Sequence, residues 1–399
     1  MRILCFIDSL GSGGAQRQLV TLAVGLKKRG HQIRLLVYHQ DDHFFLSLLQ
    51  AADISCQVIP PCSYVQRAFV VRRILRQGWQ DVVLAFLEAP SFYAELARIP
   101  KQRWRLIVGE RLADPGMKKA SGSFLRQFHR FADAIVCNSH TNKLMLEALF
   151  PLFRSKLCTV YNMVDLKLFC PSVDNANTVD CHRAREFRIV VVASYQEKKN
   201  MMNVAKALLI LQNKHIQPPI VVDWFGAMPA GPKAFNEIER FVVENDLGES
   251  FRLHAATHNI AHEFSCADVV GLFSFYEGLP NVVCEGMASG KPILLSKVCD
   301  ASNLVQDGRN GFLCDPTSPE DIGEKIQRLT TLTDFDRSQM GLESRKLAEQ
   351  LFSEDAVIER YKRILKLAVD NQLLPVDCSW PAQVPESAVV TVNQWLKDT

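Results

Sequence analysis

Arg2-Ile3-Leu4-Cys5-Phe6-Ile7 is a nearly unbroken apolar run, and Gly11-Ser12-Gly13-Gly14 follows it closely. A strand without polar alternation is one covered on both faces, as in a parallel sheet. Leu19, Leu22, Ala23 and Leu26 then recur at helical spacing, with Lys27-Lys28-Arg29 where the negative end of a helix dipole would lie. Gly30 ends that helix, and Ile33 to Val37 reads as a second strand. The first forty residues therefore predict a strand–helix–strand unit.

The same pattern recurs outward from it. Asp81 to Phe86, Arg105 to Val108, Asp133 to Asn138 and Lys156 to Tyr161 read as further strands, the third followed by a helix capped by Ser139 or Thr141. Pro171 to Thr178 is polar and turn-rich, which predicts a linker over 171–186. Arg188 to Ala193 then begins a second series, continued by Ile220 to Phe225, Phe251 to Leu253, Val269 to Ser274 and Pro292 to Leu295. The expectation is an α/β chain of two Rossmann-like domains, 1–170 and 187–352, facing each other across a cleft. Val357, Tyr361, Ile364, Leu365 and Ala368 share one helical face within a segment 353–399 that packs back on the body, its last twenty-five residues forming a tail or strap.

Composition narrows the function. With 48% apolar and 22% charged residues the chain is an ordinary globular protein, which excludes disorder, collagen and a small disulfide scaffold. A formal charge of +3 is too small to argue for nucleic acid. Apolar runs such as Val82 to Leu87 are too short to span a bilayer, and the stretch after Arg2 is too short for a signal peptide. The twelve cysteines have no metal-ligand spacing, so most read as buried or incidental thiols in a reducing, cytoplasmic setting.

The most informative segment runs from Phe273 to Pro292 and reads strand, loop, short helix, turn, strand. Glu277 lies just beyond a strand's carboxyl end, and Gly278 permits close backbone approach. The amides of Leu279, Asn281 and Val282 lie at a helix start, which favours anions, and Pro280 is tolerated there. Glu285, one or two turns on, could accept hydrogen bonds from a diol. Two glutamates on one loop–helix unit beside an anion-binding helix start do not suit a glycosidase. A dinucleotide fingerprint would need glycine at position 16, where the chain has Gln16, so an oxidoreductase is disfavoured.

From Glu277-Gly278-Leu279-Pro280-Asn281 through Glu285 to Lys291-Pro292, the segment resembles the Glu-x7-Glu signature of glycosyltransferase family 4. Gly13-Gly14-Ala15-Gln16-Arg17, Glu110-Arg111 with Asp114-Pro115, Asn162-Met163-Val164-Asp165 with Phe169 and Pro171, and Asp307 to Leu313 resemble other landmarks of that family, in order. The resemblance covers roughly residues 1 to 370 and leaves the tail unexplained.

It implies a GT-B fold and a retaining, metal-independent transfer of a hexosyl group from a nucleotide-sugar, with a UDP-sugar favoured and no cofactor. It implies that Glu285 holds the ribose hydroxyls, that Glu277 meets the donor sugar near the reacting carbon, and that Lys199 meets the diphosphate. Where the family carries an arginine, five positions before that lysine, this chain has Ser194. Lys198, or Arg17 and Arg111 from the first domain, are the cations left to compensate. The expected acceptor is a glycan or lipid-linked saccharide. Basic-aromatic stretches, Tyr64 to Arg76 and Lys118 to Phe131, suggest peripheral contact with an anionic inner leaflet. His129 and His140 read as surface residues. The rival readings are a non-catalytic GT-B protein, favoured by Ser194, and an epimerase or phosphorylase of the same architecture.

Overall fold

The computed structural model describes residues 1–39, 44–111, 115–118, 124–171, 186–228, 231, 233–375 and 378–397. Apart from its end residues, the 171–186 linker lies outside them, as do Asp114 and Lys119. The chain divides into two compact units. The first comprises Met1–Met163, Glu354–Val384 and Val392–Thr399; the second comprises Val164–Ser353 and Pro385–Thr391.

The first unit carries a seven-stranded sheet: β1 Arg2–Phe6, β2 Gln32–Val37, β3 Ser55–Val58, β4 Val82–Phe86, β5 Arg105–Glu110, β6 Ala134–Cys137 and β7 Leu157–Thr159. The spatial order is β3-β2-β1-β4-β5-β6-β7 and every pairing is parallel. All five residues of β4 are buried, as its unbroken apolar run requires. The apolar stripe of the first helix, Gly14–Lys28, packs with Val357, Tyr361, Ile364, Leu365 and Ala368 of the helix Glu354–Val369 in one core. That helix face is the one anticipated from sequence.

The second unit carries six parallel strands: β8 Phe187–Val192, β9 Ile220–Gly226, β10 Phe251–Ala255, β11 Val269–Leu272, β12 Ile293–Ser296 and β13 Gly311–Cys314, ordered β10-β9-β8-β11-β12-β13. Both sheets reverse direction of growth beside their first strand, between β1 and β4 and between β8 and β11. In such sheets ligands bind beyond the carboxyl ends at that point.

Two strands were not anticipated. Ser55–Val58 is a short, largely exposed edge strand of mixed polarity. Gly311–Cys314 begins at a glycine whose added Cβ would meet the carbonyl of Ile293 at 1.9 Å, so strand pairing there depends on the missing side chain. The strand expected over Lys156–Tyr161 is shorter; Val160 instead bridges to Trp380 of the C-terminal segment. The expected tail then forms a regular helix, Glu386–Lys397. Ten described cysteines are free thiols, seven of them buried, while Cys266 is disulfide-bonded. No helix among the described residues is long and apolar enough to cross a membrane.

Candidate active site

The loops after β8 and β11 meet at the second unit's switch point. After β8 the chain makes a short 3-10 turn, Glu197–Lys199, then Asn200 adopts a left-handed backbone, φ 68°, before the helix Met201–Asn213. Asparagine tolerates that region better than most residues. Its buried side-chain amide donates to the carbonyls of Phe273 at 3.0 Å and Pro316 at 2.7 Å, fixing the turn against the β11 loop. The Phe275 amide donates to the Lys198 carbonyl at 3.0 Å, a second tie between the loops.

These ties bring together residues 78 positions apart. The Lys199 ammonium pairs with Glu277 Oε1, and Ser274 Oγ donates to the same oxygen at 2.6 Å. The Glu277 amide donates to Cys299 Sγ at 3.2 Å. Lys198 Nζ sits 5.5 Å from the Tyr276 ring centroid, a cation–π arrangement. Ser194 lies just beyond β8, partly buried, in the same loop. A small pocket is bounded by Ser274, Glu277, Pro280, Ser296, Cys299 and Asp300.

The helix Asn281–Ala288 starts directly after this loop, with Pro280 at its N-cap and no side-chain cap. Val283 and Cys284 are the first donors to the Pro280 carbonyl, so the Asn281 and Val282 amides precede the intrahelical ladder. Leu279 is buried and anchors the turn, whereas Gly278 is not left-handed. A Cβ at Gly286 would lie 2.7 Å from Val270, so the helix rests on β11 at a spacing only glycine allows. Glu285 is the fifth residue of that helix and is half-buried. Arg345 clasps the helix's far end, donating to the carbonyls of Ala288 at 2.6 Å and Phe169 at 2.8 Å.

In the first unit, Gly13 is the N-cap of the helix that Gly14 begins, and its carbonyl accepts from the Arg17 amide at 3.0 Å. The Arg17 residue is exposed. Arg111 is engaged differently. Its guanidinium donates to Asn162 Oδ1 at 3.0 Å and to the Tyr361 hydroxyl, and lies 3.8 Å from the Phe86 ring centroid.

The two histidines are not surface residues. His140 is fully buried and bonds the Pro381 carbonyl at 2.8 Å. His129 lies between Glu95 and Glu110, at 2.6 and 2.8 Å, with Arg126 beside Glu110 at 3.3 Å. Burial alone would lower the His129 pKa, but the two carboxylates override it and push it up to about 10. Burial would raise Glu110, but His129 and Arg126 hold it below its ordinary value; burial wins at Glu95, which is raised. Two positions of the basic-aromatic stretch over 124–131, Arg126 and His129, thus belong to a buried ion cluster rather than to a face presented to a membrane.

In the helix Tyr64–Arg76 most of the arginines are engaged within the first unit. Arg72 and Arg76 donate to the carbonyls of Leu96, Ala97 and Ile99, and Arg67 stacks 4.1 Å over Tyr38. They satisfy the last carbonyls of a neighbouring helix. Tyr64, Val65 and Phe69 remain exposed beside a broad apolar groove shared with Phe92 and Leu125.

Asn200, Ser274 and Cys299 were not singled out from sequence. Asn200 and Cys299 are non-glycine residues with positive φ, which residue type alone does not reveal.

Two parallel sheets of seven and six strands with flanking helices are the architecture of GT-B glycosyltransferases. Residues 12–168 match the family model Glycosyltransferase Family 4, and residues 181–346 match Glycosyl transferases group 1. The chain belongs to this family of glycosyltransferases. It is 24% identical, over 79% of its length and 85% of the relative's, to a Campylobacter jejuni enzyme named GalNAc-alpha-(1->4)-GalNAc-alpha-(1->3)-diNAcBac-PP-undecaprenol alpha-1,4-N-acetyl-D-galactosaminyltransferase. It is 20% identical to the human alpha-1,3/1,6-mannosyltransferase ALG2, over 92% of this chain and 96% of that one. The fold matches the crystal structure of Anabaena Alr3699/HepE in complex with UDP and glucose, with a TM-score of 0.76 over 92% of this chain and 99% of that one at 19% identity.

Proposed function

We propose that the chain transfers a hexosyl group, with retention, from a nucleotide-sugar to a lipid-linked saccharide, and that the Lys199–Ser274–Glu277 cluster is the donor end of the site. The observation that carries this reading is the pairing of Lys199 with Glu277 at the switch point, directly before the open start of the helix Asn281–Ala288. When the bond from the anomeric carbon to the diphosphate breaks, negative charge grows on the leaving phosphate. A preplaced ammonium and helix-start amides stabilise that charge without reorganising. Glu277, released from Lys199 as the lysine turns to phosphate, faces the sugar as an acceptor of its hydroxyls. Glu285, one turn along, is assigned to the ribose diol.

Ser194 leaves the diphosphate without a bidentate guanidinium in this loop, so Lys199, with Lys198 next to it, carries the charge. The proposed transfer uses no metal ion. A UDP-sugar is favoured, in line with the UDP bound by the Anabaena neighbour. A lipid-linked acceptor is in line with the undecaprenol-linked saccharide in the Campylobacter relative's name.

A thermal-shift series of the purified protein with UDP, GDP, ADP and their sugars tests the donor assignment. One nucleotide series should raise the melting temperature, and Glu285→Ala should weaken that response at least tenfold in nucleotide concentration. A response unchanged in Glu285→Ala would move the nucleoside elsewhere; no response to any nucleotide would favour the non-catalytic reading.

The acceptor's lipid calls for attachment at a membrane surface. The exposed apolar residues Tyr64, Val65 and Phe69 support this better than the arginines, most of which are engaged internally. Flotation with anionic phospholipid vesicles should recover the protein with the lipid, and Phe69→Asp with Val65→Asp should return it to the soluble fraction. Wild-type protein that stays at the bottom of the gradient would contradict this attachment.

A further inference from the structure

The helix Glu386–Lys397 lies beyond the residues that either family model matches, and nothing in the proposed transfer uses it. Its first turns carry a set of hydrogen bonds to one loop of the second unit. Ser387 Oγ donates to the Cys299 carbonyl at 2.6 Å and accepts from the Ser302 amide at 3.0 Å. The Ser302 hydroxyl lies 2.9 Å from the same oxygen. Thr391 Oγ1 accepts from the Cys299 amide at 2.8 Å and donates back to the Ser387 carbonyl. Both backbone polar groups of Cys299 are thus held by the tail.

Cys299 is held in an unusual state. It is buried, and its φ of 52° lies in the left-handed region that a residue with a Cβ visits at a cost. Such a conformation persists only where its surroundings over-determine it. Here the surroundings are Ser387 and Thr391. The consequence reaches the site, because the sulfur so placed accepts the backbone amide of Glu277.

We infer that the C-terminal helix is a positioning element of the donor loop, with Ser387 and Thr391 fixing Cys299 so that its sulfur holds the Glu277 backbone beside Lys199. The inference rests on the donor assignment for its functional meaning, while its physical content concerns the Glu277 loop alone. Ser387, Thr391 and Cys299 are positioning residues; none of them is given a role in contact with the reacting atoms.

Hydrogen exchange followed by mass spectrometry on the full chain without nucleotide tests the coupling. In Ser387→Ala/Thr391→Val, amides of the 273–282 loop should exchange at least tenfold faster, with β8, β9 and β12 unchanged. Thr391→Ser keeps the hydroxyl and, alone, should exchange as wild type. Cys299→Ala leaves the tail intact but removes the sulfur, and should reproduce the faster exchange within the loop. Loop exchange equal to wild type in both Cys299→Ala and the double variant would overturn the inference. So would a uniform rise across the whole second unit, which would mean simple destabilisation. UDP titration of the same proteins then separates the two ideas. Binding by wild type with at least fivefold weaker binding by the double variant supports both. A wild type that binds no UDP contradicts a UDP-sugar as donor, one that binds none of UDP, GDP and ADP contradicts the donor assignment, and in either case the exchange result still decides the coupling.

Discussion

Two ion clusters lie at or beyond the carboxyl ends of sheet strands, one in each unit, and they have opposite characters. At the end of β5, His129, Glu95, Glu110 and Arg126 form a closed set, with side-chain exposures of 2% for His129 and 0% for Glu95. At the end of β11, Lys199 and Glu277 retain 16% and 19% exposure, and the first amides of a helix stand next to them. The first cluster is buried, and its charges pair with each other and, through Arg126, with Glu88. The second has a charge pair that an anion can enter and divide. Burial and neighbouring helix-start amides, rather than charge alone, distinguish the two clusters.

Opening the buried cluster should have the largest effect. His129→Ala leaves two carboxylates and a guanidinium buried without their bridge. The expected loss is about 3–5 kcal/mol in urea denaturation of the first unit, in the range for a broken buried pair. A loss below about 1 kcal/mol would mean that the cluster is as adaptable as a surface pair.

The same cluster sets a pH dependence of smaller size. His129 is raised from an ordinary value of 6.5 to about 10, so its contribution is fully present below pH 6.5 and is lost as pH rises through 10. The melting temperature should therefore fall between those limits, by at most about 1.4 kcal/mol of stability per pH unit. His129→Gln, neutral throughout, should be less stable at pH 6 and nearly flat over the same window.

Much of this was legible in the sequence, for a definite reason. Strands covered on both faces leave long apolar runs, interrupted here only by Arg188 in β8 and Asp223 in β9, so β1, β4, β8 and β9 announced a parallel sheet. β3 and β13 left no such run, being an exposed edge and a strand that begins at a crowded glycine. Lys199 and Glu277 could be singled out because their loops resemble a known pattern, and the fold explains why they meet: β8 and β11 are neighbours across the switch point. What lay outside the pattern was not legible. The left-handed backbones of Asn200 and Cys299, and the link from Ser387 to the Glu277 loop, depend on contacts between distant segments. His129 was misread because a buried histidine between carboxylates looks, residue by residue, like one on a wet amphipathic face.

In the proposed reaction the open cluster receives the diphosphate. Calorimetric titration of wild type and Lys199→Ala with the nucleoside diphosphate selected by the thermal-shift series tests it most directly. The prediction is binding by wild type and at least tenfold weaker binding by Lys199→Ala, about 1.4 kcal/mol, with His129→Gln binding as wild type at a temperature where it is folded. Equal affinity in wild type and Lys199→Ala would contradict the claim and place the diphosphate away from the Lys199–Glu277 pair.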